Sequence, residues 1–199
     1  MEPYLLHGIK WNNFDLLVKI LESGYILPRK DIEKGLVTDR NNLFNGNTHI
    51  SLCQKSLYKS WMEDTYQCSF DSFIFNSPCL VLKKDNINLI YPRRITILDK
   101  NTMSPEEWRS LLFRDDGERV TYFADELQTK DKISLHTNLI AVGLPKAVLS
   151  YNKDGEETLS KVEKTLRENG LSVPIIDSSV YSFCDNAETI EKNKIKSLK

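Results

Sequence analysis

Leu5-Leu6-His7-Gly8-Ile9 opens the chain's first apolar run, and Phe14-Asp15-Leu16-Leu17-Val18-Lys19-Ile20-Leu21-Glu22-Ser23-Gly24-Tyr25-Ile26-Leu27 follows it. The first run reads as a short strand over residues 4–9. Asn12 or Asn13 is then placed to cap a helix, with Asp15 in the first turn, where the helix dipole favours negative charge. Phe14, Leu17 and Leu21, together with Leu16 and Ile20, recur at three- and four-residue spacing and form one buried face. Gly24 stands where a left-handed C-terminal residue belongs, and the helix cannot continue through Pro28. A second segment, Phe44-Asn45-Gly46-Asn47-Thr48-His49-Ile50-Ser51-Leu52, lies about forty residues downstream. It reads as a turn leading into a strand over residues 48–53.

Working outward, residues 29–47 form a polar loop. Residues 61–67 are ambiguous, and residues 70–75 suit a strand buried on both faces. Residues 79–83 and 87–91 read as two strands joined in a hairpin through Lys84-Asp85-Asn86. Ser104-Pro105-Glu106-Glu107 is a helix start with a capping box. Residues 120–129 and 139–144 are further strands. Residues 155–169 form an amphipathic helix with Leu159, Val162 and Leu166 on one face, stopped at Gly170. Residues 171–176 give a last strand, and the lysine-rich tail from Ile190 is expected to fray. Strands outnumber helices and do not alternate strictly with them, which is an α+β pattern.

The 199 residues suit one domain. Hydrophobic residues are 40% and charged residues 28%, enough for a core and against wholesale disorder. A net charge of -1 argues against a protein that coats nucleic acid. The cysteines Cys53, Cys68, Cys79 and Cys184 form no C-x-x-C pair, which excludes the usual zinc spacing and suits reduced thiols. No metal site is expected. The absence of a secretory pattern and of an apolar run of about 20 residues points to a cytoplasmic chain with no membrane partner.

Histidines occur only at positions 7, 49 and 136. Each reads first as a histidine satisfied by backbone. Gly8 raises the functional weight of His7, because glycine admits a ligand close to the main chain. His49 follows a glycine-containing turn, and His136 is assigned to the surface. Asp125 and Glu126 are neighbours in a strand-like run, so only one of them points into a given cleft. From periodicity alone, both are expected to be solvated at a strand edge.

Taken in order, these segments resemble the ADP-ribosyltransferase superfamily over residues 4–146. Leu6-His7-Gly8-Ile9 and the helix behind it are similar to the family's first strand and helix. Leu17-Val18-Lys19-Ile20-Leu21-Glu22-Ser23-Gly24-Tyr25 matches its "Leu-x-x-Ile-Leu-x-x-Gly-hydrophobic" run. The segment from Phe44 to Ser51 resembles the turn and strand carrying the second motif position. Asp125-Glu126-Leu127-Gln128, with Leu139-Ile140-Ala141-Val142-Gly143-Leu144-Pro145, resembles the glutamate-bearing strand and its partner. The second position is tyrosine in the His-Tyr-Glu branch. Here it is His49, as in the tRNA 2′-phosphotransferase branch, which lacks the glutamate.

The resemblance implies a split antiparallel or mixed sheet core with flanking helices at residues 1–146, and a helix-strand extension of the same domain at 147–199. It implies NAD as co-substrate and a toxin-like transferase of the glycosyltransferase class, acting on a macromolecular acceptor, protein or nucleic acid. By resemblance Glu126 and His49 are catalytic. His7, Gly8, Ile9, Ser51 and Arg29 bind NAD. The C-terminal extension is a candidate surface for an antitoxin or immunity protein. A catalytically silent module that binds a nucleotide or protein, an NAD glycohydrolase and an RNA 2′-phosphotransferase are the alternative readings.

Overall fold

The computed structural model of the chain describes residues 4–9, 13–28, 50–54, 77–91, 93–94, 103–104, 106–107, 120–121, 126–180 and 183–198. The readings made on residues 29–47 and 61–75 lie outside them. The chain divides into two compact units, one of Met1–Ile26, Ser72–Asn86 and Ile133–Lys199, the other of Leu27–Asp71 and Ile87–Lys132. Helices and a mixed sheet together make the fold α+β.

In the first unit, strand β1 (Leu5–Gly8) pairs antiparallel with β4 (Cys79–Leu82), His7 facing Leu80 and Gly8 facing Cys79. Strand β4 pairs antiparallel with β9 (Leu139–Leu144), which pairs in parallel with β10 (Ile175–Asp177). Every residue of β4 is buried, which explains its uninterrupted Cys-Leu-Val-Leu sequence. A central strand covered on both faces carries no polar alternation. The hairpin expected over residues 79–91 does not form. Asn86 takes φ 60, the chain turns away, and Ile90, which belongs with Gln128 to the second unit, makes an isolated bridge to it.

Helix α1 (Phe14–Ser23) begins as its sequence predicts. The Asn13 side chain accepts from the Leu16 N–H at 3.0 Å, and Asp15 occupies the first turn. Its buried residues are Leu17, Val18, Ile20 and Leu21, so Val18 replaces Phe14 and Leu16 in the expected face. Gly24 closes the helix at φ 70 and donates to the Leu21 carbonyl. A side chain there would be strained in the left-handed region. The Gly24 carbonyl accepts from Leu135 N–H at 2.8 Å. Strand β2 (Tyr25–Ile26) pairs with β8 (Ile133–Ser134), continuing that attachment.

The short helix α2 (Leu135–Asn138) carries the buried Asn138 at its end. Asn138 Nδ2 donates to the carbonyls of Lys83 and Asp85 at 3.2 and 2.6 Å, and Lys83 N–H donates back to the Asn138 carbonyl. One amide thus pins the turn that follows β4.

Parallel pairing of β9 and β10 requires a crossover. It is supplied by α3 (Lys146–Tyr151) and α4 (Gly155–Glu168). Helix α4 buries Leu159, Val162, Thr165 and Leu166, the face read from its periodicity. Its exposed side reaches α1 through Lys161 and Asp15 at 3.0 Å, a solvated pair that contributes little.

The tail does not fray. Asn186 and Thr189 form a reciprocal cap for α5 (Ala187–Lys192). Ile195 N–H then donates to the Ile175 carbonyl, and Asp177 N–H to that of Asn193. Ile190 and Ile195 are buried. At about 1.5–3 kcal/mol for each apolar side chain withdrawn from water, these two anchors outweigh the disordering bias of the surrounding lysines.

In the second unit, β3 (Ile50–Gln54) pairs antiparallel with β7 (Glu126–Thr129). Strand β5 (Arg93–Arg94) pairs in parallel with β6 (Val120–Thr121). The single strand expected over residues 120–129 therefore contributes two separate strands to two different ladders. Ser104 and Glu107 exchange the predicted capping bonds. Glu107 N–H donates to Ser104 Oγ at 3.1 Å, and Ser104 N–H to the Glu107 carboxylate at 2.8 Å.

Candidate functional site

Register decides which side chains of the β3–β7 ladder meet. Ser51 faces Gln128, and Cys53 faces Glu126. Residues two apart share a face, and directly opposed residues lie on the same side of an antiparallel ladder. Ser51, Cys53, Glu126 and Gln128 therefore form one polar face, while Ile50, Leu52, Leu127 and Thr129 form the other.

The two faces also differ in spacing from the main chain. Gln128 exchanges both backbone hydrogen bonds with Ile90, at 3.0 and 2.7 Å. Its N–H and C=O are thus turned away from β3. Toward β3, the Ser51–Gln128 and Cys53–Glu126 pairs are the non-hydrogen-bonded kind, in which side chains stand closest. Strand β7 is held on both edges, so the expectation that Glu126 is solvated at a strand edge is corrected. Glu126 is only 8% exposed and Gln128 5%. Asp125 lies outside the described residues.

Gln128 Nε2 donates to Glu126 Oε1 at 3.1 Å. A carboxylate offers only acceptors, so the amide must turn its NH₂ toward it. Gln128 Oε1 is left facing away from Glu126, buried and with no hydrogen-bond partner. Leaving a buried acceptor unmet costs about 1–3 kcal/mol, and buried polar atoms in proteins are rarely left so.

The residues predicted near the first strand lie in the other unit. His7 is half-buried on β1. Ile9 is buried, and its N–H donates to the Pro78 carbonyl at 2.7 Å. Its main-chain donor is therefore spent on the β1–β4 edge. Because main-chain groups alternate sides along a strand, the Gly8 N–H and C=O point away from β4. Gly8 thus turns its polar backbone to the opposite edge of β1. His136 is exposed on α2, as expected. His49 and Arg29 lie outside the described residues.

The ladder brings two predicted residues, Ser51 and Glu126, onto one face, and adds two that the sequence reading passed over. Gln128 and Cys53 were legible in principle. Each lies two positions from a residue already singled out, the interval that returns a strand to the same face. The ladder's register, invisible in sequence, is what puts the two pairs opposite one another. Cys53, Cys79 and Cys184 are buried. Among the described residues, no group of three or more His, Cys, Asp or Glu is placed to hold a metal ion, and no helix is long and apolar enough to cross a membrane.

No protein-family model, no curated protein and no solved structure matches this chain.

Proposed function

We propose that the chain is an NAD-dependent ADP-ribosyltransferase that moves ADP-ribose from NAD to a macromolecular acceptor. The observation that carries this reading is the buried Glu126 carboxylate, held by Gln128 on a polar strand face shared with Ser51. Its support is the agreement of that face with the sequence resemblance, which implies the role of Glu126, and with the strand alternation that singles out Ser51 two residues after His49. The β1–α1 segment, with His7-Gly8 ending an apolar strand and Gly24 closing the helix behind it, is a second point of agreement.

In the proposed reaction the bond from the ribose C1′ to the nicotinamide nitrogen breaks, and its electron pair leaves with nicotinamide. An acceptor nucleophile forms the new bond to C1′ and gives up its proton to solvent. Positive charge builds on the sugar in the transition state, as in glycoside hydrolysis. A preorganised carboxylate beside the sugar stabilises that charge most where water is excluded. Glu126 takes this role. Ser51, on the same face, hydrogen-bonds nearby. By the resemblance, His49 stacks on the nicotinamide ring; Arg29 or Arg40 meets the pyrophosphate as a bidentate donor.

The test uses the full chain with NAD labelled in its adenylate half, alone and with a cell lysate. The expected result is nicotinamide release together with label on a polymer, whose sensitivity to protease or nuclease identifies the acceptor class. Release without labelled polymer would replace transfer by hydrolysis. NAD binding with no release would select a silent module, and neither binding nor release would refute the reading.

A further inference from the structure

We propose that Gln128 is a second sugar-contacting residue, its Nε2 holding Glu126 while its Oε1 accepts a hydrogen bond from a ribose hydroxyl. This inference rests on the reading of Glu126 as the carboxylate beside the substrate sugar, and adds to it the recognition of the sugar's diol.

Three observations carry it. The first is that the amide orientation is forced. Reversing it would set two acceptor oxygens against each other, so Oε1 is the atom left over from the contact with Glu126. The second is that Oε1 is unpartnered on a side chain that is 95% withdrawn from solvent, its residue being 5% exposed. The third is that Gln128 is rooted firmly. Its N–H and C=O are both engaged by Ile90, and Ser51 sits opposite it on β3. The side chain therefore emerges from a fixed point rather than from a loop.

Oε1 carries no hydrogen, so what satisfies it must bring an O–H or N–H. A carboxylate and an amide oxygen joined by one hydrogen bond present two adjacent acceptor positions. Neighbouring hydroxyls of a ribose present two adjacent donors. The match is of number and polarity. A phosphate at neutral pH presents chiefly acceptors, and an apolar ring no donor at all, so neither meets Oε1 as a diol does.

The test compares the binding of NAD with that of two analogues, lacking either the 2′- or the 3′-hydroxyl of the nicotinamide-side ribose. Affinities are read by calorimetry in the cold for the parent chain and for Gln128→Met. In the parent, at least one analogue is expected to bind about tenfold more weakly than NAD, as for one lost hydrogen bond. In Gln128→Met that gap closes, NAD itself now binding about tenfold more weakly. A gap of equal size in both proteins, or unchanged NAD affinity in Gln128→Met, overturns the proposal. Should Gln128→Met fail to fold, Gln128→Leu takes its place: it also removes the acceptor oxygen, so the gap must close, and its persistence there overturns the proposal too. Equal affinity of the parent for NAD and both analogues overturns it without any variant. A parent that binds no NAD instead overturns the ADP-ribosyltransferase reading, a distinguishable result.

Discussion

Replacing Glu126 by glutamine separates the carboxylate's chemistry from its place in the fold. The two side chains have nearly the same shape. In the parent, Glu126 Oε1 accepts from Gln128 Nε2 at 3.1 Å. The amide oxygen of Glu126→Gln is able to accept that same bond, so the connection along β7 survives. It becomes a neutral hydrogen bond in place of a charge-assisted one, which is roughly twice as strong, and the loss is about 1 kcal/mol. Against this, a residue only 8% exposed no longer carries a carboxylate out of water. The two effects oppose each other, so the net stability change is within about 1 kcal/mol, and Tm moves by no more than about 4 °C. Catalysis responds differently. Removing one preorganised group that stabilises transition-state charge costs about 2.7–4 kcal/mol, or about 10²–10³ in turnover. Nicotinamide release, followed by chromatography under saturating NAD, is expected to fall by that factor while NAD affinity changes only a few-fold. Equal release by the variant and the parent, with Tm preserved, refutes the assignment of Glu126.

The remaining predictions concern the frame around that face and beyond it. A Cβ on Gly155 would overlap the Leu149 carbonyl oxygen, and backbone does not yield as a side-chain tip does. Gly155→Ala is expected to cost about 1–2 kcal/mol despite alanine's helix preference, lowering Tm by about 2–8 °C; a raised Tm would show that the start of α4 relaxes freely. Asn138→Leu keeps the volume but leaves the Lys83 and Asp85 carbonyls without their shared donor, for an expected loss of about 2 kcal/mol in denaturant titration; an unchanged midpoint would refute the clamp. Hydrogen bonds from the Ser104 backbone and hydroxyl hold the Glu107 carboxyl below the usual carboxylate range. The capping contribution is therefore present above the unfolded carboxyl's titration and is lost as pH falls through the lowered folded value. Carboxyl NMR should place the Glu107 midpoint below that of a free glutamate, with Ser104→Ala moving it upward; identical midpoints in parent and variant would contradict the cap.

Local features were legible wherever the chain's own chemistry settles them. Asn13 caps α1 and Gly24 ends it because both acts involve main-chain groups within a few residues. The Ser104–Glu107 box and the buried face of α4 are equally local. The strand of residues 79–82 was legible as an apolar run, but its partners were not. Proximity in sequence favoured a hairpin with residues 87–91, whereas β1 and β9 pair with the two edges of β4, and all four of its residues are buried. The tail misled for another reason. Its lysines dominate the composition, yet two isoleucines and one reciprocal cap suffice to dock it.

The same division runs through the candidate site. By itself the sequence determined the α+β class, the capped helix behind the His7-Gly8 strand, and the carboxylate and hydroxyl worth watching, Glu126 and Ser51. Each follows from side-chain type, spacing and short-range hydrogen bonding. Only the tertiary structure decided that Glu126 is buried rather than solvated, that Gln128 grips it, and that Ser51 and Cys53 stand opposite the pair. The physical reason is register. Shifting β3 by one residue against β7 would send Ser51 and Cys53 to the other face, and no local preference within either strand specifies which alignment wins. That choice belongs to the packing of both faces at once, and it is made only when the chain is folded.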